Sequence, residues 1–295
     1  MRAATLSIVL VTSALLSAQG QYIGVEQRTQ IFSEFSRPVE PFHIVGNIHY
    51  VGAQNIAAYL FTNPEGHILV DTGTSLMQAQ LAGNIEKLGF KPSDIKIMLS
   101  SHAHVDHVQG HAYMKRVTGA QVMAVAEDAK ALEAGTDVSP IAWEGWEPVK
   151  VDRVLRDGDT VTLGATTLRA VWTPGHTPGC TTWTTTARDN TRSYNVVIPC
   201  GVGPNPGPPL IGNRQHANIV EQSLGTVKKL RALNPDIVLP GHPQQAFAGK
   251  IEGMKAGTAP HPLLMAPGAW ATQVANQEAN FMKRLEAEKA RVSSR

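Results

Sequence analysis

The sequence predicts one layered α/β domain. Apolar runs of strand length are bounded by Gly, Pro and Asn turn signals, and a strand followed by a helix-spaced segment recurs along the chain. No linker and no short-period repeat divides it. With 295 residues, 42% of them hydrophobic and 17% charged, the chain can bury a sizeable core and does not have the composition of a disordered one. The formal net charge of +2 is too small for a nucleic-acid electrostatic footprint, so nucleic acid is excluded as a partner.

The first twenty residues, MRAATLSIVLVTSALLSAQG, place Arg2 before an apolar stretch from about Leu6 to Leu16, followed by small residues near Ala18 and Gly20. This reads as a secretory signal peptide over residues 1–20, leaving 21–295 as the single domain. An uncleaved anchor is the alternative, but the apolar run is well short of the ~20 residues that span a bilayer. Periplasmic or secreted location is therefore expected, with no membrane association after leader removal. An oxidising compartment would let Cys180 and Cys200 pair, although two cysteines alone do not separate a disulfide from two buried thiols.

After a polar segment to about Pro41, Ile44–Val51, Ile56–Thr62 and His67–Val70 are expected as three antiparallel strands, with Asn63-Pro64-Glu65-Gly66 as a turn. Leu76, Leu81, Ile85 and Leu88 fall near helical spacing, and Gly89 with Pro92 closes that helix before the apolar run Ile95–Leu99. Further on, Thr167–Trp172, Thr181–Thr186 and Tyr194–Pro199 are expected as strands, and Val220, Leu224 and Val227 share one helical face. Gly201 to Gly212 is a Pro/Gly-rich loop, and Asp236–Leu239 is a last short strand. Trp270, Val274, Phe281 and Leu285 form one stripe of a C-terminal packing helix, roughly opposite Asn276, Lys283 and Glu286.

The chemistry concentrates in Ser101-His102-Ala103-His104-Val105-Asp106-His107, on a loop that follows the buried run Ile95–Leu99. Three imidazoles and a carboxylate form the ligand set that Zn²⁺ prefers, and so close a group is far more economical around a metal than as a solvated loop. These four cannot all reach one tetrahedral ion and leave a water position, so remote ligands and a second metal are required. Thr173-Pro-Gly-His176-Thr-Pro-Gly179 and Leu239-Pro-Gly-His242-Pro243 each follow a predicted strand, with Pro and Gly fixing the backbone so that one His projects from the strand's end.

The cluster at His102–His107, Leu69-Val-Asp71-Thr-Gly73, Gly175-His176-Thr-Pro-Gly179 and Gly241-His242 together resemble the metallo-β-lactamase fold over nearly the whole mature chain. Gly46-Asn47-Ile-His49-Tyr50-Val-Gly52, Thr173–Trp183 and Asn205-Pro-Gly207 are most similar to subclass B3. The resemblance implies a four-layer αββα sandwich and two Zn²⁺, the first held by His102, His104 and His176 and the second by Asp106, His107 and His242. It implies a buried Asp71 that orders the ligand loops. The implied reaction is hydrolysis of the β-lactam amide bond by a metal-bridging hydroxide that Asp106 orients, the basis of antibiotic resistance. The implied partner is then a small-molecule β-lactam.

The chain departs from subclass B3 where hydroxyls usually hold the substrate carboxylate. The Ser positions fall on Gly201 and Gly203 and a Tyr position on Pro208, leaving the backbone of Gly201, Gly203 and Asn205, a bridging water or Arg214 to make those contacts. A lost charge-assisted hydrogen bond costs about 1.5–3 kcal/mol, so weakened β-lactam affinity is expected with the chemistry intact.

Cys200 is read as a buried thiol rather than a zinc ligand, because the second set is already complete, and Cys180 as a small core residue or its partner. His111 has equally ordinary roles against a ligand or in solvent, while His43, His49, His67, His216 and His261 are read as solvated or packing residues. Trp143 and Trp146 are read as a satellite cluster, with pocket lining as the alternative. The competing functions are another metallo-hydrolase on the same fold, such as a lactonase or thioesterase, and a non-catalytic periplasmic zinc-binding protein.

Overall fold

The computed structural model describes residues 25–136, 145–190 and 192–294. The expected leader and Trp143 lie outside the described residues. Helix α1 (Val25–Phe35) leads into strands β1 (Phe42–Val45), β2 (Ile48–Tyr50), β3 (Tyr59–Phe61) and β4 (His67–Val70). Then come α2 (Gln78–Lys87), β5 (Ile95–Leu99), α3 (Val105–Val108), α4 (His111–Thr118), β6 (Gln121–Val125), α5 (Ala126–Ala134) and β7 (Arg153–Leu155). The second half runs β8 (Thr160–Leu163), β9 (Thr166–Trp172), β10 (Thr181–Arg188), β11 (Ser193–Ile198), α6 (Ile219–Arg231) and β12 (Ile237–Val238). It ends with α7 (Gln244–Phe247), α8 (Ile251–Lys255) and α9 (Ala269–Ser293).

The strands form two sheets, a seven-stranded one in the order β1 to β7 and a five-stranded one in the order β12-β11-β10-β9-β8. Alternation along each strand sorts side chains into layers. Ile68, Val70, Leu99, Met123 and Val125 of the first sheet meet Leu168, Ala170, Val196 and Ile198 of the second in the central core. Their neighbours Leu69, Met98, Val122 and Ala124 point the other way and pack on Leu81 and Ile85 of α2, Met114 of α4 and Leu132 of α5. On the far side, Val197 packs with Val227 and Leu230 of α6 and with Trp270 and Val274 of α9. The result is the expected sandwich of two sheets between helical layers. No helix among the described residues is long and apolar enough to cross a membrane.

Three expectations are corrected. The segment Ile44–Val51 is not one strand but most of a hairpin, with Phe42 opposite Tyr50 and Val45 opposite Ile48. Gly46 turns the chain at φ 59°, and the apolar residues on both arms hid that turn. Leu76 does not belong to the inward stripe of its helix: it is 63% exposed and Met77 is buried, because a 3₁₀ turn over Ser75–Met77 shifts the phase before α2 begins. In α6 the buried face is Ile219, Ser223, Thr226, Val227 and Leu230, with Leu224 exposed. Ser223 and Thr226 can face inward because their hydroxyls donate to the carbonyls of Ile219 and Pro174, both at 2.7 Å.

Candidate metal centre

The predicted residues converge at one end of the sandwich: His102, His104, Asp106 and His107 follow β5, His176 follows β9 and His242 follows β12. They fall into two triads, His102–His104–His176 and Asp106–His107–His242, in each of which one ligand atom per residue lies within 4.8 Å of the other two. The triads adjoin, with the His102 and His107 ring centroids 4.1 Å apart.

Local backbone geometry makes this division. The His104 amide donates to the His102 carbonyl at 3.1 Å, a tight turn about Ala103 that leaves the two rings with centroids 4.6 Å apart. The chain then coils into α3, and its first turn swings Asp106 and His107 to the other triad. Gly241 closes that triad from beneath: a Cβ there would lie 2.8 Å from His107 Cε1, so only glycine lets the segment carrying His242 approach. The Ala57 amide and the Tyr59 hydroxyl donate to the carbonyls of Gly241 and Pro240, at 2.9 and 2.7 Å, and anchor that segment to β3 and the loop before it.

Four of the five imidazoles are oriented by what their outer nitrogen meets. His107 Nδ1 donates to Asp71 Oδ2 at 3.0 Å, His176 Nδ1 to the Gly203 carbonyl at 3.3 Å and His242 Nδ1 to the Asn55 carbonyl at 2.7 Å. Ser101 Oγ gives its proton to Asp71 Oδ2 at 2.8 Å and so accepts from His102 Nδ1 at 3.0 Å. These bonds fix the ring orientations, leaving the Nε2 atoms of His102, His107, His176 and His242 directed inward. Asp71 is the hub. It has φ 63°, a left-handed conformation rare for a residue with a side chain, and its Oδ1 also accepts the Ser101 amide at 2.7 Å. The Thr72 amide donates to the His107 carbonyl at 2.8 Å, so this turn grips that residue from both its backbone and its ring.

Burial, followed by the neighbouring imidazoles, pushes His102 well below the ordinary histidine range. Burial lowers His104 to about 4 and His176 to about 3. These rings are neutral at pH 7, the form that ligates metal. Burial opposes charge on His107 as well, but Asp106 and Asp71 outweigh it and raise this ring to about 9. Burial also works against an anionic Asp106, and the adjacent His107, His242 and His104 overcome it to hold the carboxyl below its usual range.

The arrangement suits a divalent metal. His107 Nε2 is buried with no hydrogen-bond partner, an expense that native interiors avoid unless the atom serves a ligand. Asp106 Oδ2 lies 3.7 Å from that nitrogen and 3.5 Å from His242 Nε2, close to the roughly 3.3 Å edge of a tetrahedron of donors about 2.0–2.1 Å from one ion.

Of the remaining predicted residues, Gly201 and Gly203 border His176: a Cβ on Gly201 would sit 3.4 Å from its ring, and Gly203 supplies the carbonyl described above. Asn205 and Arg214 are exposed, and it is the Asn205 carbonyl that the structure engages, through Arg284. Cys180 and Cys200 form a disulfide, so neither is a free thiol or a ligand. His111 is fully buried on a Thr72 hydroxyl at 2.7 Å, and Trp146 joins the outer core. His49 and His67 pack on Phe90, in keeping with a packing role.

Sequence reasoning missed four residues. Phe35 of α1 lies with its ring centroid 5.9 Å from that of His242, in a segment that looked merely polar. Arg284 of α9 donates to the carbonyls of Pro204, Asn205 and Pro208, and Glu288 accepts the Leu210 amide at 2.7 Å, so the helix fastens the glycine-rich loop. Asp128 accepts the Ala103 amide at 3.0 Å. The alternation of charge along α9 and the acidic first turn of α5 were the available signals, and both look like ordinary helix surface.

Fold and site together define a metal-dependent hydrolase architecture, and the chain belongs to the metallo-β-lactamase superfamily: the family model of that description matches residues 51–242. Its structural neighbours are subclass B3 enzymes. It is 38% identical to the subclass B3 enzyme BJP-1 of Bradyrhizobium japonicum, with a TM-score of 0.80 over 88% of this chain and 98% of that one. It is 33% identical to the native FEZ-1 metallo-β-lactamase of Legionella gormanii, with a TM-score of 0.80 over 86% and 98%. Among curated relatives, it is 34% identical over 114 residues to a probable metallo-hydrolase of Burkholderia pseudomallei and 32% identical over 105 residues to a hydroxyacylglutathione hydrolase of Rhodospirillum rubrum. Each of those matches covers 36% of this chain, and 36% and 33% of the two relatives' own lengths.

Proposed function

We propose that this protein is a zinc-dependent β-lactamase that acts after export, opening the amide of small β-lactams with two Zn²⁺ held by the two triads. The observation that carries the reading is the pairing of a three-histidine triad with an Asp–His–His triad, with histidines in each oriented by hydrogen bonds to their outer nitrogens. When bound, zinc supplies a Lewis acid and a water ionised near neutral pH. His102, His104 and His176 contribute neutral donors, and Asp106 stays anionic beside them, able to accept a hydrogen bond from the attacking oxygen and aim it at a carbonyl. Phe35 lies beside His242 and Gly201 beside His176, so each borders a different triad and would flank a substrate. The Cys180–Cys200 disulfide supports residence in an oxidising compartment.

A second reading, thioester hydrolysis, is favoured by the hydroxyacylglutathione hydrolase relative and by Gly201 and Gly203 standing where hydroxyls would grip a β-lactam carboxylate. Purified protein assayed for metal content, then with a chromogenic cephalosporin, a hydroxyacyl-glutathione thioester and an acyl-homoserine lactone, separates the readings. Chelator-sensitive cephalosporin hydrolysis is expected; turnover of the thioester alone would replace the lactamase reading.

A further inference from the structure

Asp128 stands in the first turn of α5, 2% exposed, while the other buried positions of that helix are Ala129, Ala131 and Leu132. Its carboxylate faces both segments that carry the first triad. Oδ2 accepts the amide of Ala103, the residue between His102 and His104, at 3.0 Å. Oδ1 accepts the hydroxyl of Thr177, the residue after His176, at 3.4 Å. The second segment is pressed against the same group: a Cβ on Gly179 would come within 2.1 Å of Oδ1, which leaves room for glycine alone. Beside it, the Thr181 amide donates to the Ser101 carbonyl at 2.8 Å. A buried carboxylate is a costly way to fill space, and a neutral side chain would pack there at less expense.

We propose that Asp128 is a positioning residue for the first triad. By holding the Ala103 amide and the Thr177 hydroxyl from one helix, it sets the separation of His102 and His104 from His176, as Asp71 sets the orientation of His107 in the other triad. The inference rests on reading the six residues as metal ligands. Native full-length chain, D128N and T177V, each confirmed as folded by circular dichroism, are titrated with Co²⁺ against a chromophoric chelator. H176A and H242A identify which visible band belongs to which triad. D128N keeps the shape but replaces an acceptor oxygen with a donor, so affinity at the first triad should fall about 10–100-fold while the second is unchanged. T177V should lower affinity at the same triad by less. Native affinities in folded D128N and T177V, or equal weakening of both triads, would overturn the role of Asp128. If D128N does not fold, T177V alone decides. A native chain that binds no Co²⁺ would instead overturn the metal reading itself.

Discussion

Asp71 Oδ2 accepts the Nδ1–H of His107 at 3.0 Å, with both side chains 1% exposed, while the opposite nitrogen of the same ring has no hydrogen-bond partner. One carboxylate thus fixes where the ring points and leaves its far side open to a ligand. Replacing it with Asn removes an acceptor from Ser101 or His107. In D71N, affinity of the second triad for Zn²⁺ should fall roughly 10–100-fold in chelator competition. Native affinity there would remove Asp71 from its proposed role.

His107, raised to about 9 by its two carboxylates, carries a proton at neutral pH that an incoming metal must displace. His104 and His176, at about 4 and 3, carry none. Because proton and metal compete for the same nitrogen, affinity at the second triad should rise about tenfold per pH unit from 6 up to about 9, while the first triad stays nearly flat. Dialysis against limiting Zn²⁺ at pH 6 should then leave one ion, and at pH 8.5 two. Equal occupancy of both triads at pH 6, read by elemental analysis, would contradict this.

The two glycines at the expected hydroxyl positions are not equivalent. Gly203 has φ 71°, and a Cβ there would lie 2.7 Å from the Phe281 ring, whereas a Cβ on Gly201 meets its nearest neighbour, His176, at 3.4 Å. G203S should destabilise the fold by about 1–3 kcal/mol, seen as a lowered Tm, through left-handed strain and displaced Phe281. G201S should fold normally and lower KM for carboxylate-bearing β-lactams; an unchanged KM would show that its hydroxyl does not reach substrate.

Arg284 holds three carbonyls of the loop that begins at Gly201. R284M keeps the apolar stem and removes the donors, so the loop should loosen. KM should rise several-fold with kcat within about a factor of two, as uniform binding is lost. A fall in kcat at constant KM would place Arg284 nearer the chemistry than this geometry does.

Cys180 and Cys200 close a loop of 20 residues between the His176 turn and Gly201. Replacing both with Ser should cost about 3 kcal/mol of unfolding free energy by the chain-entropy relation, measured in urea. Zn²⁺ affinity at the first triad should fall in the same variant, since the bond ties the carbonyl that orients His176 to the strand that follows it.

Much of the site was legible because metal chemistry is written in residue types. The His102–His107 cluster after a buried strand, the two Pro-Gly-His turns and Asp71 after Ile68–Val70 are local patterns, and all seven residues meet where those patterns place them. The stripe Trp270–Val274–Phe281–Leu285 was legible for a similar reason, since a long helix repeats its period often enough to be read. Short elements were not: the Gly46 turn and the 3₁₀ turn at Ser75 each shift register within two or three residues, less than one period of the pattern.

By itself, then, the sequence determined which residues could donate to a metal and at which strand ends they stand. The division into triads was already implied by the family resemblance, whereas tertiary structure alone decided which nitrogen of each ring faces in. It also made Asp128, Arg284 and Phe35 neighbours of the site. The physical reason is that ligand identity is a property of one side chain. Orientation depends on hydrogen bonds to groups remote in the chain, as with His242 and Asn55, 187 residues apart, and no local pattern encodes such a pairing.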